Sequence, residues 1–322
     1  MHAPIARTAL LLLAITLTFS IASHTAEAEG FLPGQRTLLD AHNCYPYGGL
    51  WADRIQRALS TGVPLAIEND LAWYSDPKTG EGRAVVAHGG TLNGKEPTLR
   101  EYFFDQVRPI VEKALKEGNS DLRASEGNWP LVTLNINDLR AGEDRLFSSL
   151  WDLLGEYEGW LCTAVKSADP DVVAPLAVKP VLVLTASGKK EMEFFYDKVP
   201  AGGKLRLFGS GESGKATNYR RWRNYAWKSV EPTGQRNAGE WKPEKAAKLQ
   251  ALVDDAHANG YWIRFYTLNG HGALANQGWS PEYNFGSLEA AQARWKAAIE
   301  AGVDFIASDQ YEDLAKVIHA SR

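Results

Sequence analysis

Eight short runs of apolar, β-rich residues recur along this chain of 322 residues, with amphipathic helical stretches between them. They fall at residues 37–42, 64–70, 84–88, 131–136, 181–185, 204–208, 261–268 and 304–307. Ile55, Ala58 and Leu59 share one face of a helix that should stop at Gly62. Thr98 followed by Glu101 is a capping-box signature, and Pro109 should kink or split the helix that follows. Residues 243–260 and 287–302 repeat the helical grammar, each ending in Gly. Strands alternating with helices predict a parallel sheet, and eight is the number that closes a (β/α)8 TIM barrel, here a single domain. The stretch 140–180 exceeds what one crossover needs and leaves room for an extra short strand near 161–165. A doubly wound open sheet is the competing architecture. No Gly-x-Gly-x-x-Gly follows the first run, which disfavours its dinucleotide-binding version.

The first 28 residues read as a signal peptide rather than as part of the fold. Arg7 precedes an apolar run too short to span a bilayer comfortably, and Ala26-Glu27-Ala28 supplies a small-x-small cleavage site. The chain is therefore expected to be secreted or periplasmic, with the barrel over residues 29–322. No later run reaches the roughly 18 apolar residues of a membrane span, so no stable membrane insertion is expected. The leader holds one Arg and one Glu, so its removal leaves the net charge at −4. With no basic block beyond residues 219–223, nothing points to a nucleic-acid partner. Cys44 and Cys162 are the two cysteines. An oxidising compartment allows one bridge between them, and two buried thiols are the alternative.

In a barrel the chemistry gathers where strands reach their C-terminal ends. The first run ends in His42-Asn43 and the second in Glu68-Asn69-Asp70, where alternation puts Glu68 and Asp70 on one side and Asn69 on the other. The third ends in His88, followed by Gly89-Gly90. Asn135 and Asn137 share a side at the fourth. The seventh carries Arg264 and runs into Asn269 and His271, and the eighth runs into Ser308-Asp309. Two inward carboxylates at this spacing repel unless a cation lies between them. Oxygen-only ligands suit Mg2+ or Ca2+ rather than zinc. Two histidines flanking such a cation form an acid–base pair of the kind phosphodiester cleavage requires. His257 and His319, on helices, read as structural.

Taken in order, this pattern resembles the phospholipase C-like phosphodiesterases. Within them it looks most like the group named for altered inheritance of mitochondria. The supporting stretches include "AHNCY", "GVPLAIENDLAW", "VVAHGG", "AHANGYWIRFYTLNG" and "GVDFIASDQYEDLAKVI". The resemblance implies a barrel and metal-dependent cleavage of a glycerophosphodiester or phospholipid-type substrate. It makes His42 and His88 the catalytic histidines, and Asn43, Glu68, Asp70 and Asn135 the ligands of Ca2+ or Mg2+. Asn135 stands where that family has a carboxylate, and Asn137 where a lysine is common. Arg264, Asn137 and Asn269 are the expected substrate contacts, with an ion pair to a barrel carboxylate as the other role open to Arg264.

A different class of function is a catalytically weak or inactive barrel that binds sugars or phospho-head-groups. Its motive is the aromatic stretch "NYRRWRNYAW" in a chain with eleven tryptophans. A retaining glycosidase would need two carboxyls about 5 Å apart and leaves both strand-end histidines idle.

Overall fold

The computed structural model describes residues 32–47, 51–117, 130–140, 144–271 and 281–321. The expected signal peptide lies outside them. The chain begins with β1 (Leu38–Ala41), α1 (Arg54–Ser60), β2 (Leu65–Ser75), β3 (Gly82–Val86), α2 (Asp105–Lys116), β4 (Val132–Arg140) and α3 (Asp144–Glu156). Next come β5 (Thr163–Val165), β6 (Leu176–Ala177), β7 (Val181–Thr185), α4 (Lys189–Met192), β8 (Lys204–Leu205) and β9 (Phe208–Ser210). The last third holds β10 (Arg220–Ala226), α5 (Pro243–Ala258), β11 (Trp262–Tyr266), α6 (Leu288–Glu300), β12 (Phe305–Ser308) and α7 (Tyr311–Ala320).

Eight of these strands run parallel in the order β1-β2-β4-β7-β9-β10-β11-β12, and β12 pairs back onto β1. The sheet is closed, and the expected (β/α)8 barrel is the fold. Two of the eight strands differ from those expected. Residues 84–88 do not enter the barrel: β2, eleven residues long, runs on past the barrel rim, and β3 folds back antiparallel on its last part, Leu71–Ser75. The turn between them is set by Asp76, whose Oδ1 accepts the amides of Lys78 (2.7 Å) and Thr79 (3.1 Å). The missing barrel strand is β10, inside the stretch taken above for a possible aromatic binding surface. Trp222 and Trp227 there are fully buried and donate their indole N–H groups to Thr185 O (2.9 Å) and Glu231 (2.7 Å). They are core residues, which removes the main motive for a stacking platform.

Residues 204–208 also divide. β8 joins β5 and β6 in a small antiparallel sheet, and only Phe208 onward belongs to the barrel. The extra strand expected near 161–165 is β5. The capping box is present, with Glu101 accepting from the Thr98 amide (2.8 Å) and Thr98 Oγ1 accepting from the Glu101 amide (3.3 Å). Pro109 neither ends nor splits α2; instead residues Arg100–Phe104 upstream adopt a wide π-helical turn.

At the bottom of the barrel, buried Asp304 gathers Gly34 N (2.7 Å), Ile263 N (2.8 Å) and His257 Nε2 (2.9 Å). His257 is thus structural, as expected. Cys44 and Cys162 are both free and buried, and burial pushes each thiol up to about 12. Among the described residues no helix is long and apolar enough to cross a membrane.

Candidate active site

Alternation along β1 and β2, continued past their ends, builds the mouth of the barrel. Asp40 and His42 follow the same side of β1, and Glu68 and Asp70 the same side of β2. Register places Glu68 beside Asn135 on β4, and Asn224 on β10 beside Arg264 on β11. Asp40, His42, Asn43, Glu68, Asp70, Asn135, Arg264, Asn269 and Asp309 are all buried here. So many polar groups out of water need partners, and their pairing defines the site.

His42 is 3% exposed. Its Nδ1 lies 2.9 Å from Asp309 Oδ1, and its Nε2 lies 3.9 Å from Glu68 Oε2. Nδ1 thus faces both the Asp309 carboxylate, which favours a proton on it, and Asn43 Nδ2 at 2.8 Å, while Nε2 faces the barrel mouth. Asn43 Nδ2 and Asn269 Nδ2 also donate to Asp309, each at 3.1 Å. Burial alone would pull His42 down, but Glu68 and then Asp309 outweigh it and hold the imidazole above its ordinary value. Burial works against the charge on Asp309, yet His42, Arg54 and Asn43 hold its carboxyl below the usual range.

The turn that presents His42-Asn43 is tightly determined. Asn43 has a φ of +50°, a region that Asn tolerates better than most residues. Buried Arg54 donates to the Asn43 carbonyl (2.6 Å), Tyr311 OH donates to the His42 carbonyl (2.8 Å), and Asn69 Nδ2 donates to the Cys44 carbonyl (2.6 Å). Asn69 does point away from Glu68 and Asp70, and it uses that position to tie the first strand end to the second.

Tyr45 links the two halves of the site. Its hydroxyl lies 2.9 Å from both Asn43 Oδ1 and Asp70 Oδ2, and its single proton favours the carboxylate. Burial and the neighbouring carboxylates hold Tyr45 far above its ordinary value, so it stays a donor. His88 stands beyond Asp70, with Nε2 at 3.9 Å from Asp70 Oδ2 and its ring stacked on Tyr45 at 6.3 Å. Its side chain is 38% exposed, in contrast to His42. The two histidines therefore occupy one mouth, one buried and one at the rim, joined through Asn43, Tyr45 and Asp70.

Arg264 is fully buried and forms ion pairs with Asp40 and Glu68. Its Nη1 donates to Asn224 Oδ1 (2.9 Å), and Asn224 Nδ2 donates to Asn137 Oδ1 (2.8 Å). Of the two roles open to it, this arrangement is the ion pair with barrel carboxylates. Asn269 likewise turns inward: its Oδ1 accepts from Ser308 Oγ (3.0 Å) and Asp309 N (2.8 Å) while its Nδ2 holds Asp309. It supports the carboxylate behind His42 with its oxygen and one of its two amide hydrogens. His271 is half-buried on the same face.

The expected metal ligands do not form a ready-made cage. Among the described residues no three His, Cys, Asp or Glu side chains converge closely enough to hold an ion. The cause is Arg264, which draws Glu68 to itself, while Asp70 is turned to Tyr45 and His88. The donor set nevertheless fits a hard cation. Asp40 Oδ1 and Asn135 Oδ1 are buried acceptors with no hydrogen-bond partner. Asp40 and Glu68 share one guanidinium, Asp70 adds a third carboxylate to the same mouth, and the expected ligand side chains all offer oxygen. Sequence reasoning gave no role to Asp40, Tyr45 or Asp309. The two-residue spacing of Asp40 from His42 was the readable signal for the first.

No family model matches this chain, and no curated protein matches it. Solved structures do. A phosphatidylinositol-specific phospholipase C from Listeria monocytogenes shares 11% identity over 91% of this chain and 96% of its own, with a TM-score of 0.50. A glycerophosphoryl diester phosphodiesterase from Parabacteroides distasonis shares 14% over 91% and 88%, with a TM-score of 0.44. A calcium-dependent phosphoinositol-specific phospholipase C from a Pseudomonas species shares 13% over 88% and 92%, with a TM-score of 0.47. At these identities the likeness concerns the fold alone: the chain has a barrel similar to that of a phosphatidylinositol-specific phospholipase C.

Proposed function

We propose that this chain is an exported phosphodiesterase that cleaves a glycerophosphodiester or phospholipid-type diester with the help of a divalent cation. The observation that carries the reading is the pair of strand-end histidines, each set against its own carboxylate and joined by the Asn43–Tyr45–Asp70 chain. His42, with Asp309 on Nδ1, presents Nε2 as the base that takes a proton from the attacking hydroxyl. His88, solvent-reachable at the rim and set against Asp70, gives a proton to the leaving oxygen. General acid–base groups of this kind contribute about 10²–10⁴-fold each. Bound beside Glu68, Asp70, Asn43, Asn135 and Asp40, Ca2+ or Mg2+ would supply the positive charge that the anionic phosphate requires. Arg264 sets the charge balance of that wall by neutralising part of the Asp40–Glu68 pair. Export rests on the leader-like first 28 residues.

The test is a screen of phosphodiesters by phosphorus NMR, with Ca2+, with Mg2+ and with chelator. The reading expects turnover that chelator abolishes, and the spectrum also shows any cyclic product. Tight binding of the diesters without turnover in any condition would favour the non-catalytic barrel instead.

A further inference from the structure

Tyr45 lies on the turn between β1 and α1 and is fully buried, so its hydroxyl must find partners inside the site. The local backbone aims it. The Tyr45 amide donates back to the Asn43 carbonyl (2.8 Å), which closes a tight three-residue turn on the left-handed Asn43. From that turn the hydroxyl reaches two strand ends at once, with Asn43 Oδ1 and Asp70 Oδ2 each at 2.9 Å. Both are oxygens of expected cation ligands.

Neither ligand is free to turn away. Asn43 has its amide nitrogen on His42 Nδ1 (2.8 Å) and Asp309 Oδ1 (3.1 Å), which leaves its oxygen facing Tyr45. Asp70 Oδ2 stands between the hydroxyl and His88 Nε2, the latter at 3.9 Å.

A hydroxyl has one proton to give, and here two acceptors lie at the same distance. The carboxylate takes it, because a bond to an ionised acceptor is the stronger one. Asn43 Oδ1 is then set against a lone pair of the same hydroxyl in a buried site, where an unmet acceptor is costly. Positive charge shared by the Asn43 and Asp70 oxygens removes that conflict, and oxygen donors of this kind suit a hard cation. The ring makes a separate contact: it stacks on His88 with an interplanar angle of 14°. Phenylalanine at this position keeps the stack and loses only the hydroxyl.

We propose that Tyr45 is a positioning residue for the cation, its hydroxyl setting the Asn43 and Asp70 oxygens as a pair so that the site binds Ca2+ or Mg2+ more tightly. The inference rests on the cation-assisted phosphodiesterase reading. Groups that hydrogen-bond the ligands of a metal from behind typically contribute about 10–100-fold to its affinity.

Calorimetric titration with Ca2+ alone and with Mg2+ alone tests this without turnover, on the wild type, Tyr45→Phe and Tyr261→Phe. Tyr261 is the comparison because it is also buried, precedes β11 at the opposite end of the barrel, and donates its hydroxyl to the Lys215 carbonyl (2.7 Å). Tyr45→Phe should bind the better of the two ions about 10–100-fold more weakly than the wild type does. Tyr261→Phe should stay within about twofold of the wild type, as expected of a distant, independent position. Unchanged affinity in Tyr45→Phe, or an equal loss in Tyr261→Phe, overturns the positioning role and leaves the cation reading in place. A wild type that binds neither ion overturns the cation-assisted reading and the role of Tyr45 with it.

Discussion

Replacing Arg264 by methionine should cost about 3–5 kcal/mol of stability at neutral pH, because breaking a buried ion pair strands charge in the interior. Arg264 is fully buried, and so are its two carboxylates, Asp40 and Glu68. Methionine keeps most of the volume, so the cavity contribution stays small. The pH dependence gives the reasoning a sign. Burial already raises Asp40 above its ordinary value of 3.8, and Arg264 is the largest influence bringing it back down. Without Arg264 the Asp40 carboxyl rises further. A carboxyl raised in the folded state stabilises while protonated, and that stability is lost as pH climbs through the folded value. The deficit of the variant should therefore shrink as pH falls from 7 towards 4. Divalent cation should offset part of it as well, since a ligand that binds the folded form stabilises by mass action. Urea unfolding at several pH values, with and without Ca2+, measures all three effects. A loss below about 1 kcal/mol at pH 7, the range of an exposed pair, would refute the buried-pair argument.

Asp309→Asn should lower turnover about 10²-fold by releasing the His42 ring and its proton, and because Asp309 helps to raise His42, the acid limb of kcat/KM should move to lower pH. An unmoved acid limb would separate Asp309 from catalysis. Glu231 accepts from Arg294 (both contacts 3.0 Å), Lys245 (2.6 Å) and Trp227 (2.7 Å), and although burial opposes it, these partners hold its carboxyl below the ordinary 4.5. Its stabilisation is thus present above that value and lost as pH falls through the lower folded one. Glu231→Gln should cost about 3 kcal/mol at pH 7 and flatten the acid limb of a thermal-unfolding profile. Thr98→Ala should cost about 1 kcal/mol through the broken capping box, read by urea unfolding.

How far the fold was legible follows from what each strand buries. The runs that became β1, β2, β4, β7, β11 and β12 announce themselves because both of their sides are covered, giving continuous apolar stretches. β10 hides because it is polar on purpose: Asn224 faces the barrel interior to meet Arg264, and Arg223 pairs with Asp255 on α5. Residues 84–88 mislead for the opposite reason, since a hairpin covered by packing is as apolar as a barrel strand. The site was legible where alternation reaches strand ends, at His42, Glu68 and Asp70. One step below, the inward-facing Asp40 carries only the two-residue spacing from His42 as a signal, and nothing in that spacing says it meets Arg264. Nor does spacing in sequence reveal that Arg264 and Asn269 would be taken up by Asp40, Glu68 and Asp309. The two Arg264 pairings join residues 224 and 196 positions apart, and Asn269 meets Asp309 from the neighbouring strand 40 positions away; only the barrel brings them together.

The central claim is that His42 and His88 exchange protons with one phosphodiester in one mouth. Turnover of the best diester from the phosphorus NMR screen, measured for His42→Ala and His88→Ala beside the wild type, addresses it most directly. Each variant should fall by about 10²–10⁴-fold while keeping the wild-type unfolding curve within about 1 kcal/mol for the rim residue His88. Near-full turnover by either variant contradicts the account.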